Sequence, residues 1–200
     1  MKQVKMQDLS ETIHSCQKCE LGSTRTHAVV GSGSLDAEVM FIGEAPGFHE
    51  DQKGIPFVGR AGNILSSLLD HIGMKREDIY IANILKCRPP KNRNPLKDEV
   101  EKCTSYLDAQ IEIIQPSILV PLGNFSYRYL FSTYGLPINK ISQDHGKIFT
   151  KNTILGTLMV MPMYHPAVAT YNPNKIDVLM KDFEILKQNI GKLAQIKSVE

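Results

Sequence analysis

Val39-Met40-Phe41-Ile42-Gly43-Glu44-Ala45-Pro46-Gly47 passes abruptly from an apolar run to a loop of small residues around one carboxylate. The apolar half has the character of a short buried strand. Two glycines and a proline stop it, and they suit a tight loop at a strand's carboxyl end, where open α/β sheets place ligands. An ordinary strand exit with an exposed Glu would read the same on these residues alone, so the flanking sequence carries the weight.

Downstream, residues 48–56 read as a polar loop that turns small and glycine-rich at Pro56-Phe57-Val58-Gly59-Arg60-Ala61-Gly62. A helix follows, with Leu65, Leu68, Leu69 and Ile72 on one face and its end near Gly73. Residues 79–85 (IYIANIL) are a β-rich run. A strand-helix-strand unit emerges, which favours parallel pairing. Two adjacent prolines keep residues 86–95 out of helix or central strand. Asn94-Pro95 then predicts a helix start, a capping Asn followed by Pro at the first helical position. Val100, Cys103, Leu107, Ile111 and Ile114 recur at spacings of three and four, which turns Cys103 inward.

A third strand is expected over residues 117–123, followed by a helix over 125–134. A further strand over 158–164, pairing with Lys147-Ile148-Phe149, delivers His165-Pro166-Ala167. Ile176, Leu179, Phe183, Leu186, Ile190 and Leu193 form the buried stripe of a last helix. Upstream, a short helix over residues 3–15 leads to Cys16-Gln17-Lys18-Cys19. The polar stretch 23–36 reads as a loop with room for a short extra strand at Ala28-Val29-Val30.

At 200 residues, 42% hydrophobic and 22% charged, the chain is expected to form a single domain, residues 1–200, that needs no disulfide staples. A formal charge of +2 decides little, since a DNA partner needs a local basic patch rather than a basic average. No signal-peptide-like or membrane-spanning run is visible, so a cytoplasmic protein without a membrane partner is expected. In that compartment four cysteines are reduced thiols or metal ligands sooner than disulfides.

Cys16, Cys19, Cys87 and Cys103 follow the pattern C-x2-C, a long gap, then C-x15-C. Four thiolates make a closed site that suits a structural zinc or an iron-sulfur cluster, and spacing alone does not choose. Free buried cysteines are the bland alternative. Lys86, Arg88, Lys91, Arg93 and Lys97 gather on one loop with Asn92, as a phosphate-contacting surface or as ordinary solvated charge. Asn83 stands in an otherwise apolar strand, and if buried its amide needs partners that a ligand can supply. His165 closes a strand, and Phe57 reads as a satellite-core residue unless a flat ligand lies nearby.

Taken together, GEAPG, PFVGRAG, the Asn83 strand with its KCRPP continuation, NRNP, HPA and the cysteine spacing resemble the family 4 uracil-DNA glycosylases, from Cys16 to about Ala167. The resemblance implies an α/β, three-layer uracil-DNA-glycosylase-like fold with a central parallel four-stranded sheet flanked by helices. It implies a [4Fe-4S] cluster on Cys16, Cys19, Cys87 and Cys103, with a structural Zn as the alternative.

The implied activity is base excision repair: uracil is flipped out of DNA and its N-glycosidic bond is hydrolysed, leaving an abasic site. Phe57 would stack on the base, the Asn83 amide would bond its O4 and N3–H edge, and Glu50 would exclude the thymine methyl. His165 would stabilise the departing anion at O2, assisted by backbone amides around Glu44 and Ala45. Water handling would fall to Glu44 or to Asn92, between which the resemblance does not choose.

Arg88, Lys91 and Arg93 would contact DNA, single- or double-stranded, and the segment from Ala167 and Val168 to Tyr171 would enter the minor groove and fill the vacated stack, with no single wedge residue assigned. A monomer is expected, held near the nucleoid through DNA, with a replication clamp or polymerase as a further partner to which no residue is assigned. No His stands in the basic insert after the cysteine loop, so ordinary turnover is expected. The rival reading is a non-catalytic iron-sulfur or zinc module that binds DNA.

Overall fold

The structure, a computed structural model, describes residues 1–154 and 156–197, with side chains as far as residue 191. Its strands are β1 (Ser32–Gly33), β2 (Val39–Gly43), β3 (Tyr80–Asn83), β4 (Ile118–Pro121), β5 (Phe149–Thr153) and β6 (Gly156–Val160). They form one sheet in the order β1-β3-β2-β4-β6-β5. The four central strands run parallel, as the family resemblance implies. Two antiparallel edge strands, β1 beside β3 and β5 beside β6, enlarge that set to six.

The main helices are α1 (Lys2–Ser15), α2 (Leu21–Thr24), α3 (Phe48–Lys53), α4 (Arg60–His71), α5 (Lys97–Ile114), α6 (Asn124–Thr133), α7 (Ile141–Asp144), α8 (Val168–Tyr171) and α9 (Lys175–Lys197). All of β2 is buried because both faces of the sheet are covered. Side chains alternate across a strand, so Met40 and Ile42 pack with Met6 and Ile13 of α1 and Tyr106 and Leu107 of α5. Val39 and Phe41 face the other way, against Leu65 and Leu68 of α4 and Leu179 and Phe183 of α9. The Phe41 and Phe183 rings stack at 5.6 Å. Leu193, the last residue of the expected α9 stripe, lies outside the residues whose side chains are described.

Several local expectations shift. Ala28 and Val29 are buried but form no strand. The Val29 N–H instead donates to the Lys86 carbonyl at 2.7 Å, and the edge strand falls at Ser32–Gly33. Residues 48–53 are helix rather than loop because Glu50 reaches back to cap Gly47 N–H at 3.1 Å. Helix α5 starts at Lys97, not at Asn94-Pro95, since Glu99 accepts the Leu96 N–H at 2.8 Å in the same manner. The regular strand stops at Val160, but parallel hydrogen bonds to β4 continue through Met161 and Met163, whose N–H groups donate to the Leu119 and Pro121 carbonyls at 2.9 Å each. Among the described residues no helix is long and apolar enough to cross a membrane.

Because β3, β2, β4 and β6 are parallel, the loops that leave them open on one edge of the sheet.

Candidate functional site

At that edge lies a cavity of about 410 Å³, lined by Glu44, Ala45, Pro46 and Gly47 from the loop after β2, with Glu50 and Phe57. Asn92 and Arg93 from the loop after β3, and His165, Ala167 and Tyr171 from the segment after β6, complete its wall. Distant sequence positions therefore meet only because the strands share a direction.

Asn83 is not among the lining residues; it lies behind Phe57, where the arrangement depends on a missing side chain. Gly43 pairs with Asn83 across β2 and β3. A Cβ on Gly43 would stand 2.2 Å from Asn83 Oδ1 and 2.8 Å from Phe57 Cε2. With hydrogen there instead, the amide and the ring sit side by side over the strand end. Asn83 is 2% exposed, and its side chain bonds to no group among the described residues. No fully buried side-chain N or O among those residues lacks a partner, so the sliver of exposure lies at the amide itself. A buried amide left open in this way is a recognition edge awaiting a ligand.

Phe57 has φ of +53°, an uncommon conformation for a bulky residue. The structure holds its backbone from two sides. Glu50 Oε1 accepts the N–H groups of Val58 and Gly59 at 2.9 and 2.8 Å. Arg76 Nη2 donates to the carbonyls of Phe57 and Gly62 at 2.6 and 2.9 Å, Nη1 to that of Pro56 at 3.4 Å, and Nε to Ser66 Oγ at 2.9 Å. Gly62 is needed here because a Cβ on it would fall 1.8 Å from the Phe57 carbonyl oxygen. The Phe57 and His165 rings lie 5.5 Å apart, inclined at 26°.

Burial pushes the His165 imidazole down to about 4, against a smaller opposing pull from the Glu50 charge, so the ring is neutral at physiological pH. Its Nδ1 accepts the Ala167 N–H at 3.2 Å, which leaves the proton on Nε2. Burial likewise raises Glu44 above the ordinary carboxylate range, and its carboxylate has no hydrogen-bond or ionic partner among the described residues. Asn92 differs, since its Oδ1 already accepts Arg88 Nε at 2.7 Å.

The basic loop is less uniform than its composition. Lys86 is a correction: it is 1% exposed and faces no phosphate. Its Nζ donates to the Asn83 carbonyl at 2.8 Å and to Gln110 Oε1 at 2.6 Å, and burial lowers it to about 8. Arg93 lines the cavity but is held by Glu99 in a two-bond ion pair, at 2.9 and 2.6 Å. Arg93 and the backbone bond at Leu96 keep the Glu99 carboxyl below its usual range. Arg88 lies over the half-exposed Phe48 ring at 5.2 Å. Lys91 is exposed, and so is Lys97, beside Glu101 at 3.7 Å. Val168 opens α8, and Tyr171 at the other end of α8 is 88% exposed on the cavity rim.

A second, much smaller cavity, of about 10 Å³, is lined by all four cysteines together with Lys18, Arg25, Lys86 and Lys102. Cys87 and Cys103 are buried, and Cys16 and Cys19 partly so. Arg25 Nη1 donates to Cys87 Sγ at 3.0 Å, and the Lys86 N–H donates to Cys103 Sγ at 3.3 Å. Arg25 is itself anchored on the His14 carbonyl. Burial pushes the Cys103 thiol up to about 11 and raises Cys87, so unaided thiolates are disfavoured there. Among the described residues no three Cys, His, Asp or Glu side chains form a group able to hold a single ion. The donor set, four thiols with N–H groups and cations around them, has the chemistry of a thiolate-bound metal centre, an iron-sulfur cluster or a zinc.

The structure places Glu44, Phe57 and His165 on one cavity and the four cysteines on another, and Tyr171, the end of the segment expected to enter the minor groove, on the rim of the first. Arg76, Arg25 and Gln110 carried no signal in the sequence, since they act through contacts 10 to 80 residues away in the chain.

The model of the uracil DNA glycosylase superfamily matches residues 30–188. The chain is 46% identical to a type-4 uracil-DNA glycosylase of Saccharolobus solfataricus, over 92% of this chain and 85% of that protein. Identity is 44% to the type-4 enzyme of Sulfurisphaera tokodaii, over 92% of this chain and 84% of that protein. For the type-4 enzyme of Archaeoglobus fulgidus it is 43%, over 94% of each.

Proposed function

The chain belongs to the uracil-DNA glycosylase superfamily and, within it, to the type-4 enzymes, and from that premise we propose how its cavity hydrolyses the N-glycosidic bond of uracil in DNA. The observation that carries the reading is the unpaired Asn83 amide meeting the Phe57 ring at Gly43, with the His165 ring 5.5 Å from that same Phe57 ring.

A uracil flipped from the stack lies on Phe57. Asn83 Oδ1 accepts its N3–H and Nδ2 donates to O4. Cytosine offers an acceptor at N3 and a donor at N4, so both contacts would be mismatched, and buried mismatches discriminate strongly. Glu50 spends its oxygens on three backbone N–H groups, and a side chain so fixed serves as a rigid wall against the C5 methyl of thymine.

As the bond breaks, negative charge collects on uracil O2. The Nε2–H of neutral His165 donates to it, with N–H groups of Glu44 and Ala45 as further donors. Water adds at the anomeric carbon. Glu44, unpartnered and more basic than an ordinary carboxylate, orients and deprotonates that water. Asn92, whose oxygen is engaged by Arg88, positions the loop and offers its amino group to the substrate. Arg88 and Lys91 meet phosphates, Arg93 shapes the wall, and α8 from Ala167 and Val168 presents Tyr171 to the gap left in the stack.

Excision from labelled oligonucleotides tests this. Abasic product is expected from uracil in single strands and opposite G or A, and none from thymine. Binding without product would select the rival, a non-catalytic DNA-binding module.

The four cysteines would hold a [4Fe-4S] cluster that ties α1, the loop after β3 and α5 together. Such a cluster supplies a structural crosslink of high charge, which Arg25 and the Lys86 N–H offset. Cys87→Ser is expected to abolish bound iron and visible absorbance and to lower Tm. Iron, sulfide and zinc analysis of the purified protein is the check, and stoichiometric zinc would select the alternative.

A further inference from the structure

The residue that holds the base-stacking ring in place is remote from the cavity wall. Arg76 follows α4 in a short 3-10 turn before β3 and does not line the cavity. Its guanidinium nevertheless makes four N–H bonds around Phe57: to the carbonyls of Pro56 and Phe57 in the turn itself, and to the Gly62 carbonyl and Ser66 hydroxyl of α4, so that it ties the turn to the helix that follows it. A planar fork of fixed donors suits this convergence, which a lysine ammonium could not reproduce. On the far side of the same turn, Glu50 collects the N–H groups of Val58 and Gly59. The carbonyls on one side of Phe57 and the amides on the other are thus gripped by opposite charges.

That grip has a reason. A Phe at φ of +53° is held against its own backbone preference, a strain that surrounding contacts must offset. Released, the turn would relax and carry the ring away from Asn83, which it approaches across the gap left by Gly43.

We propose that Arg76 is a positioning residue of the glycosylase, fixing the Phe57 turn so that the ring lies parallel to the base that Asn83 reads. The inference rests on the assignment of Phe57 as the stacking platform. It adds a determinant of activity outside the cavity, one that no substrate atom touches.

A double-mutant cycle tests it, using single-turnover excision of uracil and inhibition by free uracil in the full-length, cofactor-loaded protein. Arg76→Ala is expected to slow excision about 10- to 100-fold, in line with the cost of a misplacement near 1 Å. It should weaken free-uracil inhibition by a similar factor while leaving iron content unchanged. Phe57→Ala alone should do at least as much. The double variant should be no slower than Phe57→Ala, because Arg76 acts only through that ring.

Should Arg76→Ala not fold, Arg76→Lys keeps the charge without the fork. It should still lose most of the free-uracil inhibition. Multiplying effects in the double variant, or wild-type uracil inhibition in both Arg76 variants, would overturn the inference. A Phe57→Ala variant that excises and binds uracil like wild type would instead remove the stacking assignment itself, so the two failures are told apart by which single variant is silent.

Discussion

His165→Leu is expected to slow single-turnover uracil excision by about 10²- to 10³-fold, the range lost when one donor is removed from a site that stabilises developing negative charge. The substitution removes the Nε2–H but keeps an apolar side chain of moderate size beside Phe57, so the cavity should keep its shape. Binding of free uracil should weaken less than the rate falls, because O2 gains most of its charge only as the bond breaks. An excision rate within tenfold of wild type would remove His165 from the chemistry.

The pH dependence adds a second reading of the same side chain. With the folded imidazole at about 4 and the free one at 6.5, the unfolded chain takes up the proton first as pH falls. Stability attributable to His165 is therefore constant above about 6.5 and declines from there toward 4. The excision profile should show no loss from imidazole protonation near pH 6.5, and the acid-side fall in Tm should be smaller in His165→Leu. Imidazole titration followed by NMR is the direct check. A midpoint near the unperturbed value would mean that the ring is charged in use.

Gly43→Ala should cost about 10²-fold in excision, and it is the smallest change expected to do so. Gly43 sits in the regular extended backbone of β2, so alanine imposes no conformational penalty there. What it adds is a methyl 2.2 Å from Asn83 Oδ1 and within 2.9 Å of two Phe57 ring atoms, closer than real contacts permit. Either the amide or the ring must yield, and the two groups assigned to reading the base are then no longer coplanar with one site. Iron content should be retained, because the cysteine cavity draws nothing from β2. Gly191→Ala on α9, where a methyl meets nothing within 4 Å, is the matched control. Wild-type excision by Gly43→Ala would show that the base does not lie against Asn83 and Phe57.

Lys86 and Arg93 show why a cluster of charges in the sequence is a poor guide to a charged surface. Both belong to one basic loop, and both are spent internally, Lys86 on Asn83 and Gln110 and Arg93 on Glu99. Neither partner is recognisable from the loop itself, since Gln110 looks like any polar residue of an amphipathic helix. Asn83 was readable for the opposite reason. A lone amide in an apolar strand is anomalous wherever the strand ends up, and its surroundings only determine which way it points.

Periodicity and turn chemistry are local, and from them follow the main strands and helices and one parallel strand-helix-strand unit, though not α3 or the edge strand at Ser32–Gly33. The cysteine spacing and the loop motifs add the family. Convergence is another matter: the gap at Gly43, the grip of Glu50 and Arg76 on Phe57, the burial of Lys86 and the exposure of Tyr171 arise from contacts between elements far apart in the chain. Such contacts depend on angles and distances set by packing the whole sheet between its helices, and no window of neighbouring residues contains that information.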